Sequence, residues 1–198
     1  MMKRNNFPFS AVLGLNHAKT AILIVLVNPR AGGLLISGPR GIGKSTLMRS
    51  TQELIERPWR DIPVSVTEDR LFGTIDTEKA IYSGQKKLYP GIINEADQGV
   101  LYLDDANLLR EDLLDSILNI AEVGAYQLER DGLSLRCDTS FTVIAAINPE
   151  SGMLSGACLD QFGLFVNVDN IHDENTRVEI LKRTISFEKD CASFCNLW

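Results

Sequence analysis

Short apolar runs recur along the chain, and a glycine or a polar residue follows each of them. The three clearest runs are 34–37, 100–103 and 141–147. Runs of this length without alternation are typical of strands that are buried on both faces of a parallel sheet. Because the carboxyl ends of parallel strands meet at one edge, the residues that follow the runs are predicted to share that edge. The pattern predicts an α/β fold, a mostly parallel sheet with helices on both faces.

Segments predicted as helices flank these runs and cover residues 15–28, 45–56 and 113–120. The third has helical spacing, and the apolar side of the first is expected to pack on the sheet. Residues 126–136 instead alternate around Asp131-Gly132, which indicates a β-hairpin.

The region between the first and second runs has the least regular pattern. Residues 62–66 read as a further strand, whereas 67–98 carry turn signals and breaks at Pro90 and Gly91. Loop-rich insertions of this length in compact domains are usually functional. A solvated surface excursion fits the pattern equally well.

Length and charge narrow the class of protein. The 198 residues, 44% hydrophobic and 23% charged, suit one globular domain or slightly more. A net charge of −6 argues against a nucleic-acid-binding protein, which needs a basic face. The apolar run 21–27 is too short to span a bilayer, and no signal peptide follows Lys3-Arg4. We therefore expect a cytoplasmic protein whose four cysteines are reduced thiols.

The segment after the first run carries the most specific chemistry. Residues 38–45 read GPRGIGKS and match G-x-x-x-x-G-K-[ST], the P-loop that cradles the phosphates of ATP. Lys44 would reach the β- and γ-phosphate oxygens, and the Ser45 hydroxyl would bind Mg²⁺. A glycine-rich turn that matches by chance is the alternative. The candidate nucleotide-binding residues are Gly38, Pro39, Arg40, Gly41, Ile42, Gly43, Lys44, Ser45 and Thr46.

Two further polar groups follow the other runs. Asp104 is predicted to bind Mg²⁺, directly or through water, and Asp105 to orient and deprotonate the attacking water. Both could instead be helix-capping acids. Asn148 could hydrogen-bond that water or the γ-phosphate, or it could cap the turn into Pro149.

The order of these motifs resembles the AAA+ ATPase subunit of magnesium chelatase, the I subunit. The resemblance covers residues 7–185 and is carried by the segments FPFSAVLG, GPRGIGKST, VTEDRLFGTID, PGIINEADQGVLYLDDANLL, ERDGLSLR, INPE and LDQFGLFV. It implies an AAA+ P-loop NTPase core in an ATP-dependent ring. A second AAA+ subunit and a tetrapyrrole-binding subunit would be its partners, and Mg²⁺ insertion into protoporphyrin IX its activity.

The resemblance also assigns roles to particular residues. Gly38, Gly43, Lys44 and Ser45 would be Walker A, Asp104 the Walker-B metal acid, and Asn148 the sensor-1 residue. The stretch 12–14 would lie near the adenine. The hairpin 126–136 would precede the sensor strand, and 67–98 would hold an insertion in the second helix.

The departures from the family concern hydrolysis. The family usually has Asp-Glu where this chain has Asp104-Asp105, and it carries arginines where this chain has Ser155 and Gln161. A carboxylate displaced by about 1 Å can cost on the order of a hundredfold in rate, and neither serine nor glutamine supplies the missing positive charge. We therefore expect ATP binding with slow hydrolysis.

The sequence predicts an AAA+ core over 7–170 and the start of a lid region over 171–198. The family continues into a helical lid where this chain ends at Trp198, so the chain is expected to be a truncated product or to receive its lid from elsewhere. Two other functions stay open: a hydrolysis-deficient subunit of ring assembly, and a MoxR-like remodelling ATPase. The ERDGLSLR and VTEDRLFGTID segments favour the chelatase branch.

Overall fold

A computed structural model of the chain describes residues 6–75, 88–130 and 133–198. Its strands are β1 Leu34–Ser37, β2 Trp59–Ile62, β3 Gly73–Ile75, β4 Leu88–Pro90, β5 Val100–Leu103, β6 Ala125–Arg130, β7 Leu133–Asp138, β8 Thr142–Ile147 and β9 Leu164–Asn167. Its helices are α1 Asn16–Val27, α2 Lys44–Thr51, α3 Glu68–Phe72, α4 Ile92–Glu95, α5 Glu111–Val123, α6 Gly156–Asp160, α7 Glu174–Lys189 and α8 Cys191–Cys195.

The centre of the fold is a five-stranded sheet in the order β2-β5-β8-β1-β9. Every pairing in it is parallel, and Leu35 and Leu103 both lie opposite Ala145 on β8. β1 and β5 therefore end at the same edge, the first in Gly38 and the second in Asp104. This confirms the mostly parallel sheet and the shared edge that the apolar runs predicted.

Each face of the sheet carries its own apolar core, because successive side chains of a strand point to opposite faces. On β5, Leu101 and Leu103 pack with α4 and α5, whereas Val100 and Tyr102 pack with α1 and α2. Both sets are buried. The arrangement confirms helices on both faces.

The predicted strand over 62–66 is wrong, since the strand β2 covers 59–62. Pro63 has no N–H to donate and cannot extend the ladder, and the chain instead turns, with Val66 N–H donating to the Pro63 carbonyl at 3.0 Å. The helix after the P-loop is also shorter than predicted. α2 ends at Thr51, and a 3₁₀ turn Gln52–Leu54 follows.

Two antiparallel hairpins project from this core. β6 and β7 form the predicted hairpin, with Gln127 opposite Arg136, and its predicted Asp131-Gly132 tip lies outside the described residues. β3 pairs with β4 in a second hairpin. The irregular region 67–98 thus contains α3, this hairpin and α4, and its part 76–87 lies outside the described residues.

The segment after β9 packs back on the start of the chain through an aromatic cluster. The Phe194 ring, which is buried, lies 5.4 Å from the Phe7 ring and 5.8 Å from the Phe187 ring, centroid to centroid. Ser10 Oγ donates to the Trp198 carbonyl at 2.8 Å. α7 and α8 are therefore joined to the first described residues, and the sequence-based boundary at residue 170 stays a prediction. Across the described ranges, no helix combines the length and apolar character that crossing a membrane requires.

Gly163→Ala is expected to destabilise the fold. Gly163 N–H donates to the Gly32 carbonyl at 2.7 Å, and a Cβ at this position would overlap the Ala31 carbonyl oxygen. We expect a loss of about 2 kcal/mol or more in the free energy of unfolding, because backbone and not a flexible side chain must move. Urea denaturation measures it. Gly156→Ala is the matched control: a Cβ added there would meet no atom within 4 Å, and alanine in a helix should stabilise by at most about 1 kcal/mol. Equal stability of the two variants would contradict the prediction.

Candidate nucleotide-binding site

The loop between β1 and α2 folds as a phosphate-binding loop requires. Gly41 and Gly43 have φ of +82° and +94°, the left-handed region that glycine adopts without strain. A Cβ at Gly38 would lie 2.5 Å from the Val168 carbonyl oxygen, so the loop also needs glycine for its close approach to the segment after β9. The loop leads into the first turn of α2, where free N–H groups and the helix dipole favour an anion.

Lys44 is held inside this loop. Its side chain is buried, and Nζ donates to the Gly38 carbonyl at 2.6 Å and to the Pro39 carbonyl at 2.9 Å. Burial lowers the pKa of Lys44; the charges of Asp105 and then Asp104 act in the opposite direction, and Arg40 acts with burial. The charges of both carboxylates that follow β5 therefore act on an ammonium group that lies inside the loop.

Ser45 and Asp104 meet where α2 begins and β5 ends. Ser45 Oγ donates to Asp104 Oδ2 at 3.0 Å. A hydroxyl and a carboxylate are oxygen ligands of the kind Mg²⁺ takes beside substrate phosphates. The residues present therefore fit a magnesium ion, and the sheet edge brings together the Lys44, Ser45 and Asp104 side chains that the sequence assigned to nucleotide and metal.

Asp105 and Asn148 are placed differently. Asp105 has φ of +51° and precedes a 3₁₀ turn, to which its side chain makes no capping bond. Asn148 is buried; its Oδ1 accepts from Glu150 N–H at 3.2 Å and its Nδ2 donates to Ser151 Oγ at 3.2 Å. Of the two alternatives for Asn148, the structure shows the cap of the turn that follows it. The role toward water or γ-phosphate stays a prediction.

A cavity of about 340 Å³ opens beside the loop. Val12 and Leu13 line it together with residues 41–43 and Thr46, and α7 forms another wall through Ile180 and Arg183. Arg183 Nη1 donates to the Ala11 carbonyl at 3.0 Å, and Lys19 Nζ donates to the Val12 carbonyl. The stretch 12–14 thus lies next to the P-loop, where the sequence expects the adenine.

The α7 wall was missed by sequence reasoning, which treated 171–198 only as the start of a lid. The available signal was the pattern of α7 itself, in which Ile180 and Arg183 share one face at a spacing of three. That face meets the cavity.

The two positions that lack the family's arginines lie away from this cluster, at α6. Ser155 Oγ accepts from Cys158 N–H at 3.4 Å and caps α6. Gln161 is exposed, and its Nε2 donates to the Ala157 carbonyl at 3.4 Å. Gln161 also lines an open cleft of about 540 Å³ with Arg30 and Asp160.

This sheet order, with a P-loop after β1 and carboxylates after β5, defines an AAA+ P-loop NTPase core. Comparison with known proteins agrees: the family "AAA domain (dynein-related subfamily)" matches residues 33–161. The magnesium-chelatase 38 kDa subunit of Cereibacter sphaeroides is 36% identical, and the match covers 97% of this chain and 67% of that subunit. The chain belongs to the family of these magnesium-chelatase subunits.

Other matches extend the comparison. The 38 kDa subunit of Rhodobacter capsulatus is 36% identical over 97% of this chain and 64% of its own length. A chain in a complex of magnesium-chelatase subunits BchI and BchD, based on a cryo-EM reconstruction, superposes with a TM-score of 0.79 at 36% identity and covers 98% of this chain and 71% of that one. This chain therefore spans about two thirds of the length of the curated relatives it matches.

Proposed function

We propose that this chain binds ATP with Mg²⁺ at the P-loop and serves as an AAA+ subunit of a chelatase complex that inserts a metal ion into a tetrapyrrole. The observation that carries the proposal is the Ser45–Asp104 pair, 3.0 Å apart, beside the buried ammonium group of Lys44. In P-loop NTPases a hydroxyl, a carboxylate and a lysine in this arrangement hold Mg²⁺ and the β- and γ-phosphates.

Each residue has a distinct task in this proposal. The loop N–H groups of 38–45 bind phosphate, and Lys44 turns from the loop carbonyls to the β- and γ-phosphate oxygens. Ser45 and Asp104 hold Mg²⁺, which neutralises charge on the phosphates when bound. Asp105 orients and deprotonates the attacking water, and Asn148 lies at the adjacent strand end.

Hydrolysis by the isolated chain is proposed to be slow. Asp105 is one methylene shorter than the glutamate usual in the family. The exposed Gln161 offers no positive charge to a neighbouring subunit, and Ser155 is occupied in capping α6. ATP binding survives these departures because Lys44, Ser45 and Asp104 are all in place.

The partners follow from the family. A protein solved in complex, the BchI–BchD assembly, contains two different chelatase subunits. We propose a cytoplasmic AAA+ ring in which this chain meets a second AAA+ subunit, together with a tetrapyrrole-binding subunit that presents the porphyrin.

Reconstitution tests the proposal. The chain is mixed with the second AAA+ subunit and the tetrapyrrole-binding subunit of the Cereibacter sphaeroides complex, with MgATP and protoporphyrin IX, and the fluorescence of the magnesium porphyrin is followed. We expect insertion that requires ATP and is lost in Lys44→Ala. If the 38 kDa subunit of that organism supports insertion in the same mixture and this chain does not, the chelatase role is wrong.

A second function, nucleotide-dependent ring assembly with hydrolysis supplied by a complete subunit, is favoured by the uncharged Ser155 and Gln161. It predicts that the chain enters a ring with the 38 kDa subunit in ATP and leaves metal insertion to its neighbours. Size-exclusion chromatography of the mixture with and without ATP measures this. Separate elution in ATP would contradict it.

A further inference from the structure

The Tyr102 hydroxyl is a buried polar group without a hydrogen-bond partner in the described part of the chain. The side chain is 6% exposed. A buried hydroxyl that is left unpaired is costly in a folded protein, and those that persist call for an explanation. Tyr102 lies at the candidate metal site, which is where such an explanation has to be sought.

The sheet directs Tyr102 and Asp104 to the same face. Residues two apart on a strand share a face, and β5 runs directly into Asp104. Tyr102, Ser45 and Asp104 together line a cavity of about 450 Å³ on the α2 side of the sheet. Trp59 packs against the Tyr102 ring at a centroid distance of 5.9 Å, which limits how far the ring can move.

Asp104 and Ser45 are polar neighbours of the Tyr102 hydroxyl. A tyrosine hydroxyl beside a carboxylate is suited to donate to it. Asp104 has room for this donor: its Oδ2 accepts from Ser45, and an ionised carboxylate offers about four acceptor sites.

We infer that Tyr102 is a positioning residue for the metal site, whose hydroxyl donates to the Asp104 carboxylate when MgATP is bound and fixes the carboxylate for Mg²⁺. The inference rests on the proposed nucleotide function. Tyr102 would thereby couple Mg²⁺ to nucleotide affinity without touching the nucleotide.

Tyr102→Phe separates this role from simple packing, because it removes the oxygen and keeps the ring. Without nucleotide, we expect the melting temperature of the variant to stay unchanged or to rise by up to roughly 2–4 °C, because the substitution removes a buried hydroxyl that has no partner among the described residues. We expect the gain in affinity that Mg²⁺ gives to ATP to fall roughly tenfold. The gain is the ratio of dissociation constants for a fluorescent ATP analogue in EDTA and in excess Mg²⁺.

Tyr126→Phe is the matched control. The Tyr126 hydroxyl has partners, Asn94 Oδ1 at 2.6 Å and the Phe72 carbonyl at 2.7 Å, and it lies between the β6–β7 hairpin and α4. Removing it should lower the melting temperature and leave the effect of Mg²⁺ on ATP affinity unchanged. The two substitutions are chemically identical, so opposite responses would isolate the metal site.

The outcomes separate the inference from the function on which it rests. If the wild type binds the analogue with a gain from Mg²⁺ and Tyr102→Phe shows the same gain, the positioning role is wrong and the function stands. The same holds if Tyr126→Phe loses as much of the gain. If the wild type binds no nucleotide in Mg²⁺, both are wrong.

Discussion

Replacing Lys44 with alanine is expected to abolish MgATP binding, with a loss of affinity of roughly a hundredfold or more. Lys44 is the cation inside the loop, and the charges of Asp104 and Asp105 act on its ammonium group from the sheet edge where the phosphates would lie. Without the positive charge of Lys44, the two carboxylates would repel a phosphate that is bound there. Isothermal titration calorimetry with ATP and Mg²⁺ measures the loss.

Two further variants keep this result interpretable. Lys44 also bonds the Gly38 and Pro39 carbonyls, so alanine could act through the shape of the loop. Lys44→Gln retains N–H donors for those carbonyls without the charge and should lose binding as well. Lys182→Ala removes an exposed lysine of α7 and should bind as the wild type does. Wild-type affinity in either Lys44 variant would disprove the assigned role.

Gln161→Arg is expected to raise ATP turnover by roughly tenfold or more. In other NTPases, an arginine supplied to a neighbour's γ-phosphate raises the turnover rate by about 10³–10⁵-fold. The smaller gain is expected because Asp105 still replaces glutamate. Gln161 is exposed and its side-chain bond at 3.4 Å is long, so arginine fits without disturbing the core. The gain should grow with protein concentration, since the arginine acts on a second copy.

Steady-state phosphate release at several protein concentrations measures this effect. Gln161→Glu is the control, similar in size and opposite in charge, and should give no gain. Adding Lys44→Ala to Gln161→Arg should remove turnover, which ties the gain to the P-loop. A rise that is independent of concentration, or none at all, would rule out the proposed trans-acting role at this position.

The candidate nucleotide site could be predicted from sequence to the extent that it depends on local pattern. The glycines at 41 and 43 encode a loop, and the apolar runs that precede Gly38 and Asp104 encode a parallel sheet edge. From those patterns the meeting of Ser45 with Asp104 follows, although the two residues are 59 positions apart in the chain. The sequence also predicted the β6–β7 hairpin, because its alternation and turn residues are adjacent in the chain.

What the sequence could not predict depends on contacts between distant segments. The position of β2 is set by pairing with β5, where Trp59 lies opposite Val100, and not by the local preference of 62–66. The contact of Phe194 with Phe7 brings together the two ends of the chain. Tyr102 was read only as part of an apolar run, because burial of its hydroxyl beside Asp104 becomes visible only in three dimensions.

The most direct test of a nucleotide-binding but weakly hydrolysing subunit is calorimetry of ATP with Mg²⁺ on the isolated chain, with phosphate release measured on the same sample. We predict saturable binding that is weaker in EDTA, together with turnover below about 1 s⁻¹. Turnover above that value would show that Asp105 suffices as the base for the attacking water and that glutamine at position 161 does not slow hydrolysis. Absence of binding in Mg²⁺ would contradict the central claim that Lys44, Ser45 and Asp104 form a working site for MgATP.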